Sequence, residues 1–335
     1  MPILVKLLQR TSYNSLIEKL LDEFQVYAPV KKGKQVLYER IRAVHDMETD
    51  YLLPVLSAKS LVFPPVETLF TFERKKEGVD VLPVAVENLP ERVLLGVRPC
   101  DARGIAILRQ TFAQEPVDAI FEARFNKTIL IGLSCATADE ACFCGNRAGD
   151  TTGSDILLTQ VSNGDYLAEI ITEKGQRLVE RHADLFETPT ELPDKAAFVA
   201  TVRGLDNVEN LPALLKAAFD SKVFDQQSLA CIGCGTCTYV CPVCSCFDMQ
   251  DETQGSKGRR VRCWDSCGFS CFTVHTSGHN PRETQGQRWR QRVMHKFSYL
   301  PESNHTFGCV GCGRCIRSCP VKLDISQLIN QIAHV

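Results

Sequence analysis

Two cysteine-rich runs in the last third of the chain carry the strongest chemical signal. Both follow the pattern C-x2-C-x2-C-x3-C-P, the first over residues 231–242 and the second over residues 309–320. In two-cluster bacterial ferredoxins, three cysteines of such a run bind one [4Fe-4S] cluster and the fourth binds the other cluster. The sequence therefore predicts two [4Fe-4S] clusters, one held by Cys231, Cys234, Cys237 and Cys319, and one held by Cys309, Cys312, Cys315 and Cys241.

Zinc is the alternative metal for such a cysteine pattern. Structural zinc sites use two C-x2-C pairs, or cysteine together with histidine. Two copies of a four-cysteine run, each followed by proline, favour iron–sulfur clusters instead.

Four earlier cysteines predict a third [4Fe-4S] cluster. Cys100 follows an apolar run at residues 93–97, and Cys135 follows another at residues 128–133; Cys142 and Cys144 lie on the same loop as Cys135. If the runs are neighbouring parallel strands, these thiols meet at the carboxyl edge of the sheet, where α/β proteins bind ligands. Cys100 would also begin a helix, whose dipole lowers the pKa of a thiol. Zinc and buried free cysteines remain as alternatives.

Five cysteines have no assigned role. They are Cys244, Cys246, Cys263, Cys267 and Cys271. The last three are spaced by four residues and would share one face of a helix. An additional cluster and ordinary packing thiols both remain open for this group.

The elements that position these cysteines divide the chain into two predicted domains. Residues 1–215 form an α/β domain with a partly parallel sheet, because the buried runs at 93–97 and 128–133 flank a helical pattern through Ile105, Leu108 and Phe112. Residues 216–335 form a ferredoxin-like α+β domain for two clusters, with a long insertion at 242–308. A final helix should begin at Asp324 as its N-cap.

The insertion is strongly basic. Between residues 256 and 298, nine lysines and arginines stand against two acidic residues. Cations near a cluster raise its reduction potential, so these residues predict cluster tuning. A docking surface for a partner protein and a nucleic-acid patch are the two other interpretations.

Composition limits the remaining functions. The 335 residues include 17 cysteines and carry a formal net charge of −2. The odd cysteine number excludes complete disulfide pairing, and the absence of a secretory or membrane-spanning pattern predicts a cytoplasmic protein with no membrane partner. Neither G-x-G-x-x-G after a strand nor G-x-x-x-x-G-K-[ST] occurs, so we expect no flavin, NAD or ATP in this chain.

Further motifs resemble a known family. Its marks here are Ser57-Ala-Lys-Ser60 with Phe63-Pro64-Pro65, Gly96-Val-Arg98-Pro99-Cys100-Asp101, Gly132-Leu-Ser-Cys135 with Cys142-Phe-Cys144, Cys241-Pro-Val-Cys244-Ser-Cys246, and Trp264-Asp265-Ser266-Cys267. The chain is similar to the iron–sulfur β subunits of sulfhydrogenases, to an iron–sulfur subunit of anaerobic sulfite reductase, and to the iron–sulfur subunit of flavin oxidoreductase complexes that partner heterodisulfide reductase.

The resemblance implies an electron-transfer subunit without its own catalytic site. Electrons would pass between a flavin- and NAD(P)H-binding subunit and a hydrogenase, sulfite reductase or heterodisulfide reductase subunit of a soluble anaerobic complex. It also supports a cluster on the four N-terminal cysteines. Two other functions remain open: reduction of sulfite, polysulfide or a disulfide by this chain itself, and redox-sensitive nucleic-acid binding, which we consider the weakest.

Overall fold

A computed structural model describes residues 3–334 of the chain. Its strands are β1 (Leu4–Leu8), β2 (Gln25–Lys32), β3 (Gln35–Arg40), β4 (Val66–Lys75), β5 (Gly78–Pro83), β6 (Arg92–Val97), β7 (Thr128–Leu133), β8 (Ile156–Gln160), β9 (Tyr166–Ile170), β10 (Phe186–Glu187), β11 (Phe247–Gln254) and β12 (Lys257–Trp264). Its α-helices are α1 (Arg10–Glu23), α2 (Lys59–Val62), α3 (Pro99–Phe112), α4 (Ala119–Asn126), α5 (Glu173–Arg181), α6 (Leu211–Ala217), α7 (Val223–Ser228), α8 (Thr236–Tyr239), α9 (Gln285–Met294), α10 (Leu300–Asn304), α11 (Arg314–Arg317) and α12 (Ile325–Ala333).

The larger sheet has eight strands in the order β10-β1-β9-β8-β7-β6-β2-β3. Its four central strands β8, β7, β6 and β2 are parallel, and the outer pairings are antiparallel. The prediction of a partly parallel α/β sheet is confirmed. Strands β6 and β7 read as unbroken apolar runs because helices cover both faces: α1 packs against Val93 and Leu95, and α3 packs against Leu94 and Val97.

A second, four-stranded sheet joins the two predicted units. Its order is β11-β12-β4-β5, so a hairpin from the basic insertion pairs with a hairpin from the N-terminal half. The guanidinium of Arg262 on β12 is buried against the carboxylates of Glu67 on β4 and Asp118. The insertion is therefore fastened to the N-terminal half by backbone hydrogen bonds and by a buried ion pair. The domain boundary near residue 215 stays a prediction.

The C-terminal third is built on one long helical segment. Helix α9 continues through a π turn at His295–Tyr299 into α10, so residues 285–304 run as one interrupted helix. Trp289, Val293 and Phe297 on this segment pack against Leu328 and Ile332 of α12. Asp324 caps α12 as predicted, since its carboxylate accepts a hydrogen bond from the Ser326 backbone N–H at 2.8 Å. Within residues 3–334, no helix combines the length and apolar character that crossing a membrane requires.

Candidate iron–sulfur sites

The first cavity gathers one complete predicted ligand set. The loop before α8 carries Cys231 and Cys234, α8 itself contains Cys237, and Cys319 follows α11. All four cysteines line the same cavity. The side-chain amide of Gln285 donates to the Cys231 sulfur at 3.1 Å. The fold thus brings three cysteines of one run together with the fourth cysteine of the other run.

The second cavity gathers the complementary set. Cys309, Cys312 and Cys315 line it together with Cys241, the fourth cysteine of the first run. Cys315 and Arg292 line both cavities, so the two cavities are neighbours. Burial raises the pKa of the Cys312 thiol to about 11. Iron binding would overcome this effect, because a coordinating thiol is deprotonated by the metal.

Both cysteine loops use the same backbone path. Gly233 and Gly235 have φ of 68° and 71°, and Gly311 and Gly313 have φ of 66° and 71°. This left-handed conformation favours glycine and turns the chain into a short helix in each run. At Gly311 space matters as well, since an added Cβ would lie 2.5 Å from the carbonyl oxygen of Phe143. The second loop therefore packs directly on the loop that carries Cys142 and Cys144.

A stripe of buried cations lies beside the two cavities. Arg288, Arg292 and Lys296 are spaced by four residues on the segment 285–304, which places them on one helix face. The Lys296 ammonium donates to the Cys241 sulfur at 3.3 Å and to the Gly308 carbonyl at 2.7 Å. The Arg292 guanidinium donates to the Cys237 carbonyl at 2.8 Å and approaches the Cys244 sulfur at 3.4 Å.

The burial of these cations shows whether the residues around the two cavities suit negatively charged clusters. Lys296 is 5% exposed and Arg292 is 4% exposed, and in the described part of the chain neither forms an ion pair with a carboxylate. The Nε of Arg292 is also buried without a hydrogen-bond partner there. An isolated buried charge is very costly. A cluster held by four thiolates carries net negative charge and would offset this cost, so the residues fit that group.

The pKa values follow the same electrostatics. Burial by itself would lower the pKa of Lys296, but the neighbouring sulfurs of Cys241 and Cys244 raise it above its usual value. The pKa of Cys241 lies well below its usual value because of the hydrogen bond from Cys244 and because Lys296 stabilises the thiolate. The Cys241 corner of the second cavity therefore favours negative charge on sulfur, whereas burial raises the pKa values of Cys309, Cys312 and Cys315.

The N-terminal cysteines separate into two groups. Cys135, Cys142 and Cys144 pack together around Ala148 and Val202. Cys100 packs instead into the group that contains Cys241 and Cys312, on the side of the second cavity. The structure thus brings three of the four predicted ligands of the third site together, and it places the fourth, Cys100, beside the second cavity.

One expectation about Cys100 is wrong. Its position at the start of α3 predicted a lowered pKa, but burial raises the pKa of this thiol well above its usual value, and the adjacent Asp101 raises it further. Burial in the protein interior outweighs the helix dipole here. Burial also raises the pKa of Cys135, to about 11, against the opposing effect of the Arg98 guanidinium.

The helical interpretation of the remaining cysteines is also wrong. Cys263 lies in strand β12, and Cys267 and Cys271 follow it in an irregular segment.

In the described residues no three His, Cys, Asp or Glu side chains converge closely enough to hold a single metal ion. The thiolates of a cubane bind four different irons and need not converge on one point.

The sequence analysis assigned no role to Lys59, Cys246 or Cys267. Lys59 is 1% exposed; its ammonium donates to the Cys244 carbonyl at 3.0 Å and lies 3.7 Å from the centre of the Trp264 ring. Interaction with Cys246 lowers the pKa of the Cys267 thiol to about 6, and the same interaction raises the pKa of Cys246. Lys59 stands in the family motif Ser57-Ala-Lys-Ser60, but only the fold shows what this lysine contacts.

The basic insertion does not form a continuous charged surface. Arg262, Arg288, Arg292 and Lys296 are buried. Arg259 and Arg260 are paired with Glu252 and Asp251 across the β11–β12 hairpin. Most of the excess positive charge therefore faces thiols and carboxylates, which speaks against a nucleic-acid patch.

Comparison with known proteins agrees with this geometry. Residues 230–323 match the 4Fe-4S dicluster domain, a segment that contains both cavities' cysteines. Over 331 residues the chain is 30% identical to sulfhydrogenase 2 subunit beta of Pyrococcus furiosus, and the match covers 96% of each chain. The chain belongs to the iron–sulfur β-subunit family of sulfhydrogenases. The match to this relative extends over the N-terminal half as well as the dicluster domain, so Cys100, Cys135, Cys142 and Cys144 lie within the matched region.

Proposed function

We propose that this chain is an electron-transfer subunit that relays electrons between a flavin- and NAD(P)H-binding subunit and a hydrogenase or reductase subunit. The observation that carries the proposal is the crossed arrangement of the two cysteine runs. Each cavity contains three cysteines of one run and the fourth cysteine of the other, and Cys315 lines the first cavity as well as the second. Two redox centres held in adjacent cavities would be close enough to exchange electrons within one chain.

The cysteines of the two cavities are the proposed ligands of two [4Fe-4S] clusters, in the ferredoxin-like division given by the sequence. When bound, such clusters accept and donate single electrons. The chain's own contribution is to fix the positions of the cysteines through the two glycine loops. Arg292 and Lys296 supply positive charge at the sulfurs, which favours the reduced, more negative state.

A third [4Fe-4S] cluster is proposed on Cys135, Cys142 and Cys144 with Cys100. The packing of the first three around Ala148 supports it. The position of Cys100 beside Cys312 and Cys241 would set this cluster next to the second cavity. The three sites would then form a continuous path through both halves of the protein.

The first cavity is the one that reaches the protein surface. Cys234 is exposed, and the neighbouring Ile232 is 67% exposed, although its side chain is apolar. The other cavity is more enclosed, since Cys241 and Cys312 are buried. We therefore place electron exchange with another protein of the complex at the Cys234 corner, in a complex located in the cytoplasm.

The test uses the anaerobically purified chain with and without its partners. An affinity-tagged chain should co-purify a flavoprotein subunit, identified by mass spectrometry. NAD(P)H should bleach the cluster absorption of this chain only when that flavoprotein is present. The isolated chain, supplied with reduced viologen, should reduce neither sulfite nor polysulfide. Turnover by the isolated chain would contradict the proposal and favour an enzyme with its own open cluster.

A further inference from the structure

The second cysteine run carries two arginines that the first run lacks. The runs match in their cysteines, glycines and final proline, but Arg314 stands where the first run has Thr236. Likewise, Arg317 stands where the first run has Tyr239. Both arginines lie on α11 and pair with carboxylates of the N-terminal half, and the partner of Arg317 is Asp139. The second run therefore makes contacts with the N-terminal half for which the first run has no equivalent residues.

The guanidinium of Arg317 contacts the second and the third proposed cluster site at once. Its Nη2 donates to the Cys142 sulfur at 3.0 Å, and its Nη1 donates to the Cys312 carbonyl oxygen at 2.7 Å. Its Nε donates to one carboxylate oxygen of Asp139 at 2.6 Å, and Nη2 also donates to the other. The side chain of Arg317 is 27% exposed, whereas Cys142 is 9% exposed. One cation thus connects a proposed ligand sulfur of the third cluster with the backbone of a proposed ligand of the second.

A backbone contact holds the same two loops together. The Phe143 N–H donates to the Gly311 carbonyl oxygen at 2.8 Å. Phe143 follows Cys142, and Gly311 precedes Cys312, so this hydrogen bond joins the immediate neighbours of two proposed ligands. The Cys142 sulfur is therefore held near α11 by the backbone as well as by the guanidinium.

A guanidinium at a ligand sulfur changes the relative stability of the redox states of a cluster. A [4Fe-4S] cluster becomes more negative when it is reduced, and hydrogen bonds to its sulfurs are among the factors that set its potential. A hydrogen bond from a charged donor is roughly twice as strong as one between neutral groups. The contact of Arg317 with Cys142 therefore stabilises the reduced state of the third cluster. The carboxylate of Asp139, beside the same guanidinium, opposes this effect.

We propose that Arg317 raises the reduction potential of the third cluster through its hydrogen bond to the Cys142 sulfur, and that Asp139 limits this rise. The inference rests on the proposed function, because the third cluster belongs to it. The step that Arg317 favours is the transfer of one electron from the second site to the third. No covalent bond forms or breaks in this step, and the guanidinium keeps its protons. Arg317 acts through Cys142 and is therefore a positioning residue.

The test is a redox titration of the whole anaerobic holoprotein, followed by electron paramagnetic resonance, with iron measured on the same sample. The signal of the third cluster is the one that is missing from Cys144→Ser. Arg317→Gln keeps a hydrogen-bond donor but removes the charge, so one-electron reduction of this cluster should become about tenfold less favourable, a fall of about 59 mV. Arg317→Lys keeps the charge and should restore most of the potential. Asp139→Asn leaves the Arg317 charge unopposed, so the potential should rise.

Opposite shifts separate this role from that of a structural clamp, because loosening the loop would move the potential in the same direction in both variants. Arg203→Gln is the matched control. Arg203 holds the same loop by donating to the Glu140 carbonyl at 3.2 Å, but its side chain is 41% exposed, so water screens its charge and the potential should shift little. A potential that does not fall in Arg317→Gln, or does not rise in Asp139→Asn, would overturn the inference.

The iron content distinguishes failure of the inference from failure of the proposed function. A wild type with about twelve irons and no shift in the variants would overturn the role of Arg317 alone. A wild type with about eight irons would refute the third cluster, and the inference with it. If Arg317→Gln loses about four irons, Asp139→Asn decides, since asparagine keeps an oxygen that can accept from the Cys142 N–H, as Asp139 does at 3.2 Å.

Discussion

Arg314 and Asp101 form a two-point ion pair that is closed to solvent. The two guanidinium nitrogens of Arg314 lie 2.6 and 2.7 Å from the two carboxylate oxygens of Asp101, and the side chains are 2% and 0% exposed. Asp101 follows Cys100 on α3, and Arg314 precedes Cys315 on α11. The pair therefore fixes the second cysteine loop to the N-terminal half of the chain beside the proposed third site.

Removing one partner of this pair should destabilise the protein strongly. Asp101→Asn leaves the Arg314 charge buried without a carboxylate, which costs about 3–5 kcal/mol. The exposed pair of Glu252 and Arg259 provides the control, since Glu252→Gln should change the free energy of unfolding by less than about 1 kcal/mol. Anaerobic denaturant titration followed by circular dichroism measures both. Equal effects of the two substitutions would show that the buried pair has no special role.

The buried cations should set the cluster potentials. Lys296→Met and Arg292→Met remove positive charge next to cluster ligands, so the reduced state loses stabilisation and the potential falls, by on the order of 50–100 mV. Arg290→Met is the matched control, because Arg290 lies on the same helix but stacks on Phe219 away from the cavities. Redox titration followed by electron paramagnetic resonance gives the potentials. A potential that rises, or shifts equally in the control, would contradict this role.

Gly311 should be intolerant of any side chain. In Gly311→Ala the new Cβ would meet the backbone of Phe143 and Cys144 at 2.5–2.6 Å, in addition to the strain of φ +66°. We expect iron to be lost from the second site and from the Cys142–Cys144 loop. Gly255→Ala carries the same kind of strain at φ +62° with nothing within 4 Å, so it should keep its iron and lose only about 1–2 kcal/mol. Iron retained in Gly311→Ala would mean that the two loops do not depend on each other.

The third site is tested by single cysteine replacements. Cys135→Ser, Cys144→Ser and Cys100→Ser should each remove about four irons, because each takes one ligand from the same proposed cluster. Cys271→Ser should keep the wild-type content. Iron analysis of anaerobically purified protein measures the difference. Wild-type iron content in Cys144→Ser would restrict the clusters to the two ferredoxin-type sites.

The sequence predicted elements that carry a strong local apolar pattern. The parallel strands β6 and β7 were predictable because both are continuous apolar runs. The β11–β12 hairpin was missed. Every residue of β11 is exposed and most are polar, so the strand has no apolar alternation, and its position is fixed by pairing of β12 with β4, about 190 residues away in the chain.

At the candidate sites, too, the sequence predicted local features but not those that depend on distant parts of the chain. Spacing predicted a crossed assignment of the eight ferredoxin-type cysteines, and the fold brings each predicted set to one cavity. The burial of Arg292 and that of Lys296 could not be predicted. The burial of these side chains depends on how the insertion folds back between the cysteine loops. No local sequence pattern indicates that arrangement.

The most direct test of the central claim is a combined iron analysis and low-temperature electron paramagnetic resonance measurement on the anaerobically purified, dithionite-reduced chain. We predict about eight irons per chain if two clusters form and about twelve with the third, together with the signals of reduced [4Fe-4S] clusters. A colourless protein that contains zinc in place of iron and gives no paramagnetic signal would contradict the account.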